Sequence, residues 1–288
     1  MAPTSGWPRR AAVLGKPVEH SLSPVLHGAA YAALGLTGWT YQRIEVDAEG
    51  LPGFVRGLGA EWVGLSVTMP GKRAALDFAS QVTARAAAVG AANTLVRTES
   101  GWLADCTDVD GVVGALRTAG GYRPGAGKTG AVLGAGGTAA AAVAGLVELG
   151  MTGVRLVVRE PARARETAAA AEAAGLSVDV LRWSEVDFGA LGESSAVVVS
   201  TVPPEATAPH AAALAAARCL LDVIYHPWPT PLAEAVTARG GQVATGLDML
   251  LHQAFGQVEQ FTGLPAPREA MRAALRAATD RILPLPLG

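Results

Sequence analysis

Cysteine is scarce in this sequence: its two copies, Cys106 and Cys219, lie far apart and form no Cys-x-x-Cys pair. This scarcity argues against a disulfide framework and a zinc cluster, and it favours a reducing compartment. Half of the residues are hydrophobic, which is enough to bury sizeable cores. The histidines show no metal-ligand spacing, so no metal site is expected. They stand at positions 20, 27, 210, 226 and 252.

Concentrated charge and long apolar runs are also missing. The net charge is −2 and no long run of Lys or Arg occurs, which argues against non-specific binding to nucleic acid. The apolar runs are far shorter than the ~20 residues needed to span a bilayer. The N-terminal stretch MAPTSGWPRR lacks the apolar core of a signal peptide. We therefore expect a cytoplasmic protein with neither a nucleic-acid nor a membrane partner.

The most informative local pattern is the stretch 129–150, TGAVLGAGGTAAAAVAGLVELG. It predicts a buried strand, a tight glycine turn and a helix over 139–149 with Thr138 as its cap. Gly134 and Gly136 match the first glycines of the G-x-G-x-x-G/A fingerprint, and Ala139 takes the third place. Such a turn lets backbone N–H groups face a pyrophosphate. The pattern indicates dinucleotide binding; a glycine-rich turn of any α/β protein is the alternative.

Residues 1–128 precede this loop and predict a small α/β domain of their own. The 288 residues suffice for two domains, given the usual ~100–200 residues per domain. Pro24 suits the first turn of a helix, with Ser23 as its N-cap and Gly35 as its end. Short, mostly apolar runs predict strands over 11–15, 62–67, 94–96 and 102–104, and an alternating pattern predicts one over 41–46. Further helices are predicted over 51–57, 73–79 and 83–89.

Polar side chains follow the predicted strands of this first part. In open α/β sheets, ligands bind outside the carboxyl ends of the strands, and this set suits a small polyhydroxylated acid. Taken singly, Ser23 can be a helix cap, Lys72 a solvated lysine, and Asn93 and Asp108 turn formers. The set comprises Ser21, Ser23, Ser66, Thr68, Lys72, Asn93, Thr94, Asp105, Thr107, Asp108 and Asp110.

The second half predicts a doubly wound parallel sheet, because strands over 154–158, 196–200, 220–224 and 242–245 alternate with alanine-rich segments. Arg159 ends the first of these strands, 23 residues past Gly136. An NAD enzyme usually has an acidic residue near this place, whereas a guanidinium suits the 2′-phosphate of NADP. Arg163 can add to the clamp. Glu160 leaves NAD as an alternative cofactor, because its carboxylate can pair with Arg159 or face a ribose.

Seven motifs are spread along the chain: HSLSP (20–24), SVTMPGK (66–72), AANT (91–94), CTDVDG (106–111), GAGGTA (134–139), DVIYHPWPTPL (222–232) and GLDMLLHQAF (246–255). They occur in the order seen in shikimate dehydrogenases, and the chain resembles that family over nearly its whole length. The resemblance implies an α/β fold of two domains. An N-terminal α/β substrate domain over 1–109 would be completed by C-terminal helices over 247–288, and a doubly wound Rossmann-type NADP domain would cover 110–246.

The resemblance also assigns roles to residues. Lys72 is the implied catalytic lysine, and Asp108 is the carboxylate paired with it. Ser66 departs from the Asn of many relatives, and Cys106 departs from another Asn. The implied substrate-binding residues are Ser21, Ser23, Ser66, Thr68, Asn93, Tyr225 and Gln253. The implied cofactor-binding residues are Gly134, Ala135, Gly136, Gly137, Thr138, Arg159, Arg163, Thr201, Val202, Gly246 and Met249.

The implied activity is the reversible NADPH-dependent reduction of 3-dehydroshikimate to shikimate, a step of chorismate and aromatic amino-acid biosynthesis. The partner would be the small-molecule substrate, and the protein a monomer or homodimer. Two alternatives are an NAD-dependent quinate/shikimate dehydrogenase and a non-catalytic ligand-binding paralogue. Ser23 favours shikimate over quinate. The presence of both Lys72 and Asp108 argues against a pure binder, since binding alone needs no proton-transfer pair.

Overall fold

The computed structural model describes residues 8–123, 125, 128–280 and 283–288 of the chain. The chain divides into two compact units, Met1–Thr107 with Leu251–Leu287, and Asp108–Leu250 with Gly288. The predicted domain boundaries, after residues 109 and 246, lie close to the points where the units change. The assignment of substrate to one domain and cofactor to the other stays a prediction.

Strands alternate with helices along most of the described chain, and the predicted α/β class is confirmed. The strands are β1 (Arg9–Gly15), β2 (Trp39–Glu45), β3 (Trp62–Val67), β4 (Gln81–Val82), β5 (Thr94–Thr98), β6 (Gly101–Asp105), β7 (Thr129–Leu133), β8 (Gly153–Val158), β9 (Ser177–Arg182), β10 (Val197–Ser200), β11 (Cys219–Asp222) and β12 (Gln242–Thr245). The α-helices are α1 (Ser23–Ala33), α2 (Leu51–Arg56), α3 (Lys72–Phe78), α4 (Ala84–Val89), α5 (Asp108–Thr118), α6 (Gly137–Glu148), α7 (Arg165–Ala173), α8 (Phe188–Ser194), α9 (Pro204–Thr207), α10 (Ala211–Leu214), α11 (Pro231–Ala238), α12 (Gly246–Thr262) and α13 (Arg268–Ala278).

The first unit is built on a mixed sheet in the order β2-β1-β3-β5-β6-β4. Strands β1, β2 and β3 are parallel, whereas β5 is antiparallel to both β3 and β6. The predicted β5–β6 pair is present, with Thr98 opposite Gly101 at its turn. Strand β4 was not predicted, because its two exposed residues are too few to show a period.

Apolar residues on one face of this sheet form a core of the first unit. Leu14, Leu65 and Leu95, from three neighbouring strands, are fully buried in one cluster. On α2, Leu51 and Val55 lie four residues apart and therefore on one face, and both are buried in the same cluster. Burial of each such side chain contributes about 1.5–3 kcal/mol.

A glycine on β3 allows α12 to pack closely against this sheet. A Cβ at Gly64 of β3 would overlap the ring of Phe261, so the helix can approach this strand closely only over a glycine. The approach matters for the site, because α12 carries Gln253 and Gln257 towards the first unit's strands.

The second unit is a fully parallel sheet in the order β12-β11-β10-β7-β8-β9. The strand order reverses beside β7, between β7 and β10, which confirms the predicted doubly wound arrangement. In such sheets the crevice outside the carboxyl ends at the reversal binds the ligand. Edge strand β9 was not predicted, because its sequence SVDVLR is mostly exposed and contains neither an apolar run nor a regular alternation of burial.

Three local predictions need correction. The N-cap of α1 is Leu22, and Ser23 is the first helical residue, because its N–H is already satisfied by the Ser21 hydroxyl. Helix α6 starts at Gly137 after Gly136, so Thr138 lies inside the first turn and caps nothing. Asp108 is not a turn residue: it is the first residue of α5 and is 3% exposed. No helix among the described residues is both long and apolar enough to cross a membrane.

Candidate active site

Most of the predicted substrate residues lie along one edge of the first unit's sheet. The parallel strands β1, β2 and β3 end there at Gly15, Glu45 and Val67. Strand β5 runs the other way and begins there at Thr94, and β6 ends there at Asp105. The loops after β1 and β3, the residue before β5 and the residues after β6 therefore meet at a single edge, as the sequence predicts.

The serine pair stands at the start of α1. Ser21 Oγ donates to Ser23 Oγ at 3.2 Å and accepts the Ser23 N–H at 3.3 Å. Ser23 also exchanges a hydrogen bond with the hydroxyl of Tyr41, and burial raises the pKa of that phenol, which stays protonated. Two adjacent hydroxyls at a helix N-terminus are suited to hold a carboxylate.

The turn after β3 carries Thr68 and leads to Lys72. The Thr68 N–H donates to Leu14 O at 2.8 Å, and the Gly71 N–H donates back to Thr68 O at 2.9 Å. A Cβ at Gly15 would overlap the Thr68 methyl group, so the end of β1 requires a glycine to let this turn pass. Lys72 follows this turn as the first residue of α3 and is half-buried. Its carbonyl accepts the Ala92 N–H at 2.9 Å.

Asn93 is the centre of a buried amide cluster. Its Oδ1 accepts the Thr107 N–H and the Thr94 hydroxyl, each at 2.8 Å. Its Nδ2 donates to Gln253 Oε1 at 2.6 Å and to Thr107 Oγ1 at 3.0 Å. The structure thus brings together two predicted substrate residues, Asn93 and Gln253, that are 160 positions apart. Paired amides of fixed orientation can donate to and accept from ring hydroxyls.

Ser66 lies within this edge but its hydroxyl is engaged by protein groups. Tyr41 donates to Ser66 Oγ at 2.6 Å, and Ser66 Oγ donates to Gln257 Oε1 at 2.8 Å. The prediction that Ser66 binds substrate is untested. Sequence reasoning missed both Tyr41 and Gln257. For Gln257 a signal existed, since it follows Gln253 by four residues and so lies on the same face of α12; no signal marked Tyr41.

A further feature of this edge is the carboxylate of Asp105 at the end of β6, which the sequence marks as a polar residue at a strand end; its partner Arg85 was not predicted. Thr83 Oγ1 and Arg85 Nε donate to its Oδ1 at 2.7 and 2.6 Å, Arg85 Nη2 donates to Oδ2, and Gln260 Nε2 donates to Oδ2 at 2.7 Å. Burial alone would raise the pKa of Asp105, but the bonds from Arg85 and Thr83 outweigh it and lower the pKa to about 2. This ion pair holds the strand end that leads to Thr107 and Asp108.

The predicted proton-transfer pair falls in different units. Lys72 belongs to the first unit and Asp108 to the second, and each starts a helix. The negative charge of Asp108 is well placed in the first turn of α5, because carboxylates are favoured at helix N-termini. The pairing of the two side chains stays a prediction.

The second unit contains a cavity of about 800 Å³ outside the carboxyl ends of β7, β8 and β10. It therefore lies at the reversal of strand order, where a doubly wound sheet binds its ligand. Its lining includes seven of the predicted cofactor residues, Gly134, Ala135, Gly136, Arg159, Arg163, Thr201 and Val202. Trp183 also lines it; sequence reasoning missed this residue because the strand before it, β9, was not predicted.

The glycine turn of this cavity fits a dinucleotide. Gly134 has φ +120°, and a Cβ there would overlap the Thr201 hydroxyl, whose own hydrogen goes to Leu133 O at 2.8 Å. In front of Gly136, by contrast, a Cβ would meet nothing within 4 Å, so the backbone faces open space. The N-cap residue of α6, Gly136, has no side chain that could cap the helix, so the first N–H groups of α6 are suited to bind a pyrophosphate.

The basic end of the cavity fits the 2′-phosphate of NADP. Arg159 and Arg163 are both exposed and both line it, and no ion pair joins Arg159 to Glu160 among the described residues. Glu160 therefore leaves the guanidinium of Arg159 available to an anion. Two such groups suit a phosphate better than a ribose hydroxyl.

The remaining predicted residues lie elsewhere in the second unit. Gly137 and Thr138 are in the first turn of α6, outside the cavity lining. A Cβ at Gly246 would overlap Val223 O and crowd the ring of Tyr225, so this glycine allows a close approach of backbone. Burial raises the pKa of Tyr225, and Met249 is 7% exposed within α12. Their contacts to ligands stay predictions. Among the described residues, no group of three or more His, Cys, Asp or Glu could hold a metal ion.

The fold and these two sets of residues define a dinucleotide-dependent oxidoreductase of two α/β units. The family model for the shikimate dehydrogenase substrate binding domain matches residues 13–95, and that for the shikimate 5'-dehydrogenase C-terminal domain matches residues 246–276. A curated relative from Synechococcus sp. (strain JA-3-3Ab), shikimate dehydrogenase (NADP(+)), is 38% identical, covering 96% of this chain and 97% of the relative. The chain belongs to the shikimate dehydrogenase family.

Solved structures give the same result. The shikimate dehydrogenase of Mycobacterium tuberculosis is 55% identical with a TM-score of 0.87, covering 94% of this chain and all of that one. The shikimate 5-dehydrogenase of Thermus thermophilus, solved in complex with NADP(H) and shikimate, is 31% identical with a TM-score of 0.77, covering 94% of this chain and 99% of that one. The predicted family and two-domain fold are confirmed.

Proposed function

We propose that this protein is an NADP-dependent shikimate dehydrogenase, which reversibly reduces 3-dehydroshikimate to shikimate. The observation that carries the proposal is the similarity to curated NADP-dependent shikimate dehydrogenases over nearly the full length of both chains. The alternative of an NAD-dependent quinate/shikimate dehydrogenase is not favoured by these relatives. The two arginines at the end of β8 support the choice of NADP.

The substrate is held, in this proposal, by the edge of the first unit's sheet. The hydroxyls of Ser21 and Ser23 bind the carboxylate, since both can donate to an anion. The amides of Asn93 and Gln253, already joined at 2.6 Å, bind the ring hydroxyls together with Thr68. Tyr225, which belongs to the second unit, is a further proposed substrate contact through its hydroxyl. Mutually bonded amides cannot rotate freely, so the ring is oriented on binding.

The reaction requires a proton and a hydride to leave the same alcohol. Oxidation of shikimate removes the hydroxyl proton from oxygen and a hydride from the attached carbon, and a carbonyl remains. NADP+, when bound, would supply the acceptor of the hydride. In this proposal Lys72 takes the proton in this direction and returns it in the other, with Asp108 as its partner; the alternative is that Lys72 acts as an electrostatic clamp and Asp108 carries the proton.

The cofactor is held by the second unit. The backbone of Gly134, Ala135, Gly136 and Gly137 with Thr138 binds the pyrophosphate, and Arg159 and Arg163 bind the 2′-phosphate. Thr201 and Val202 at the end of β10, with Gly246 and Met249 at the start of α12, bind the nicotinamide half.

A cross-matrix assay tests this function. The purified protein is given shikimate or quinate with NADP+ or NAD+, and reduced cofactor is followed by absorbance. We expect the highest kcat/KM for shikimate with NADP+. A preference for quinate and NAD+ would replace the substrate and cofactor assignment, and no turnover with any pair would refute the enzymatic function.

We further propose that the protein acts in the cytoplasm as a monomer or homodimer, without nucleic-acid or membrane partners. The even charge balance, with 23 basic and 25 acidic residues, supports the lack of a nucleic-acid partner. Light scattering coupled to size-exclusion chromatography would measure the oligomeric state directly; a tetramer or larger assembly would contradict the proposal.

A further inference from the structure

Gln257 is a fully engaged amide beneath the proposed substrate edge. It is 2% exposed, one helical turn beyond Gln253 on α12. Its Oε1 accepts from Ser66 Oγ at 2.8 Å and lies 3.3 Å from His27 Nε2. Its Nε2 donates to Thr94 Oγ1 at 3.0 Å and to Asn93 O at 3.3 Å. All donor and acceptor sites of a glutamine amide are thereby used.

The orientation of this amide is determined by its neighbours. The carbonyl of Asn93 can only accept, so the nitrogen of Gln257 must face it, and the oxygen must face Ser66. Burial lowers the pKa of His27 to about 3, so its ring is neutral at physiological pH. With Nε2 of His27 carrying the proton, the imidazole donates to the same Gln257 oxygen. A flipped amide would set N–H groups against donors and oxygen against oxygen.

The bonds of Gln257 lead directly to the side chain of Asn93. Gln257 donates to Thr94 Oγ1, which in turn donates to Asn93 Oδ1 at 2.8 Å. With Oδ1 held on this side, Nδ2 of Asn93 points to Gln253 Oε1. The bond from Gln257 to the Asn93 carbonyl holds the backbone of the same residue. Gln257 thus restrains both the main chain and the amide plane of Asn93.

Ser66 completes the arrangement from the sheet. Its hydroxyl donates to Gln257 and accepts from Tyr41. The single hydroxyl hydrogen of Ser66 is committed to Gln257, and the amide at this place is carried by α12.

We propose that Gln257 is a positioning residue for substrate: it acts through Asn93, whose main chain and amide plane it restrains by hydrogen bonds. This inference rests on the proposed function and goes beyond it, since it concerns a residue that touches Asn93 and not the reacting atoms. The cofactor cavity is lined by residues of the second unit, whereas Gln257 belongs to the first. Loss of Gln257 therefore raises the KM for shikimate and leaves the KM for NADP+ unchanged.

The test is steady-state kinetics of Gln257→Met, which keeps the length of the side chain and removes its hydrogen bonds. We expect the KM for shikimate to rise about tenfold, the effect of losing one or two buried hydrogen bonds. The KM for NADP+ should change less than about twofold. Thr94→Val, which breaks the relay to Asn93 and leaves Gln257 in place, should raise the same KM and serves as the second variant if Gln257→Met does not fold.

Rescue separates positioning from mere packing. The double variant Ser66→Asn/Gln257→Ala places an amide on β3 instead of α12. We expect it to reverse at least half of the increase in the KM for shikimate seen in Gln257→Ala. The matched control is Thr262→Val on the same helix, a buried hydroxyl bonded at 2.7 Å to Val258 O of its own helix. It should lower thermal stability without changing the KM for shikimate.

Three outcomes overturn the inference. If the wild type turns over and the KM for shikimate is unchanged in both Gln257→Met and Thr94→Val, the positioning role is refuted and the proposed function stands. Equal increases of both KM values, or no rescue by the double variant, would mean that Gln257 acts only on packing. Absence of wild-type turnover with every substrate and cofactor pair refutes the proposed function, and the inference with it.

Discussion

Replacing Asp105 with asparagine removes a buried negative charge from a cluster of donors at the end of β6. Both carboxylate oxygens are in use, with Thr83, Arg85 and Gln260 as donors. Removing one partner of a buried, hydrogen-bonded ion pair costs ~3–5 kcal/mol. Arg85 is about one-third exposed, its side chain at 32%, which places this case at the low end. We expect Asp105→Asn to lower the free energy of unfolding at pH 7 by about 3 kcal/mol.

The same substitution has a defined pH dependence. The pKa of Asp105 is lowered from 3.8 to about 2 in the folded protein, so folding favours the carboxylate. Its contribution is therefore complete well above pH 3.8 and is lost as the pH falls through 2. The difference, 3.8 − 2, is worth about 2.4 kcal/mol. About 1 kcal/mol of this is lost between about pH 5 and pH 3.

Urea unfolding at pH 7, 5 and 3 measures both effects. The gap in unfolding free energy between wild type and Asp105→Asn should narrow by about 1 kcal/mol from about pH 5 to pH 3. The control is Asp77→Asn, which removes an exposed i,i+4 pair with Arg73 and should cost less than ~0.5 kcal/mol. A gap that stays constant with pH would refute the lowered pKa, and a loss below about 1 kcal/mol at pH 7 would refute the buried ion pair.

Three further predictions concern catalysis and cofactor binding. Lys72→Ala should lower kcat at least ~100-fold with unchanged circular dichroism, and Lys128→Ala should not; a near-wild-type rate would remove Lys72 from proton transfer. Arg159→Ala should weaken NADP+ binding ~10–100-fold, measured by titration, and NAD+ binding little; equal losses would exclude a phosphate contact. Gly134→Ala should lower the free energy of unfolding by ~1–3 kcal/mol, because φ is +120° and the new Cβ would meet Thr201. Gly136→Ala, at φ −89°, should lower it less. Thermal melting compares the two variants, and equal effects would contradict the strain at Gly134.

Much of the fold could be predicted because its signals are local. The strands of both sheets are short apolar runs ended by glycine or polar residues, as at Gly15 and Gly134. Such runs reveal strands within a few residues of their true bounds. The two strands that were missed, β4 and β9, lack this signal: one has two residues, and the other is an edge strand with no apolar run.

The two helix caps were wrong for a different reason. Ser23 and Thr138 have the residue types that cap helices, but each lies inside the first turn. At Ser23 the capping hydroxyl comes from Ser21, two residues earlier. At Thr138 a glycine turn takes the cap position and leaves the helix N–H groups to a ligand. Residue type predicts a cap, but the path of the backbone determines which residue occupies it.

By itself the sequence determined the class of each sheet, the glycine turn, and the residues placed at strand ends, because these depend on neighbours in the chain. Only the tertiary structure decided the partners of those residues. Ser66 meets Gln257 across 191 positions, and Asp105 meets Gln260 across 155. No local period encodes such pairs; they form because β3, β6 and α12 pack together and bury polar groups, which must then find partners.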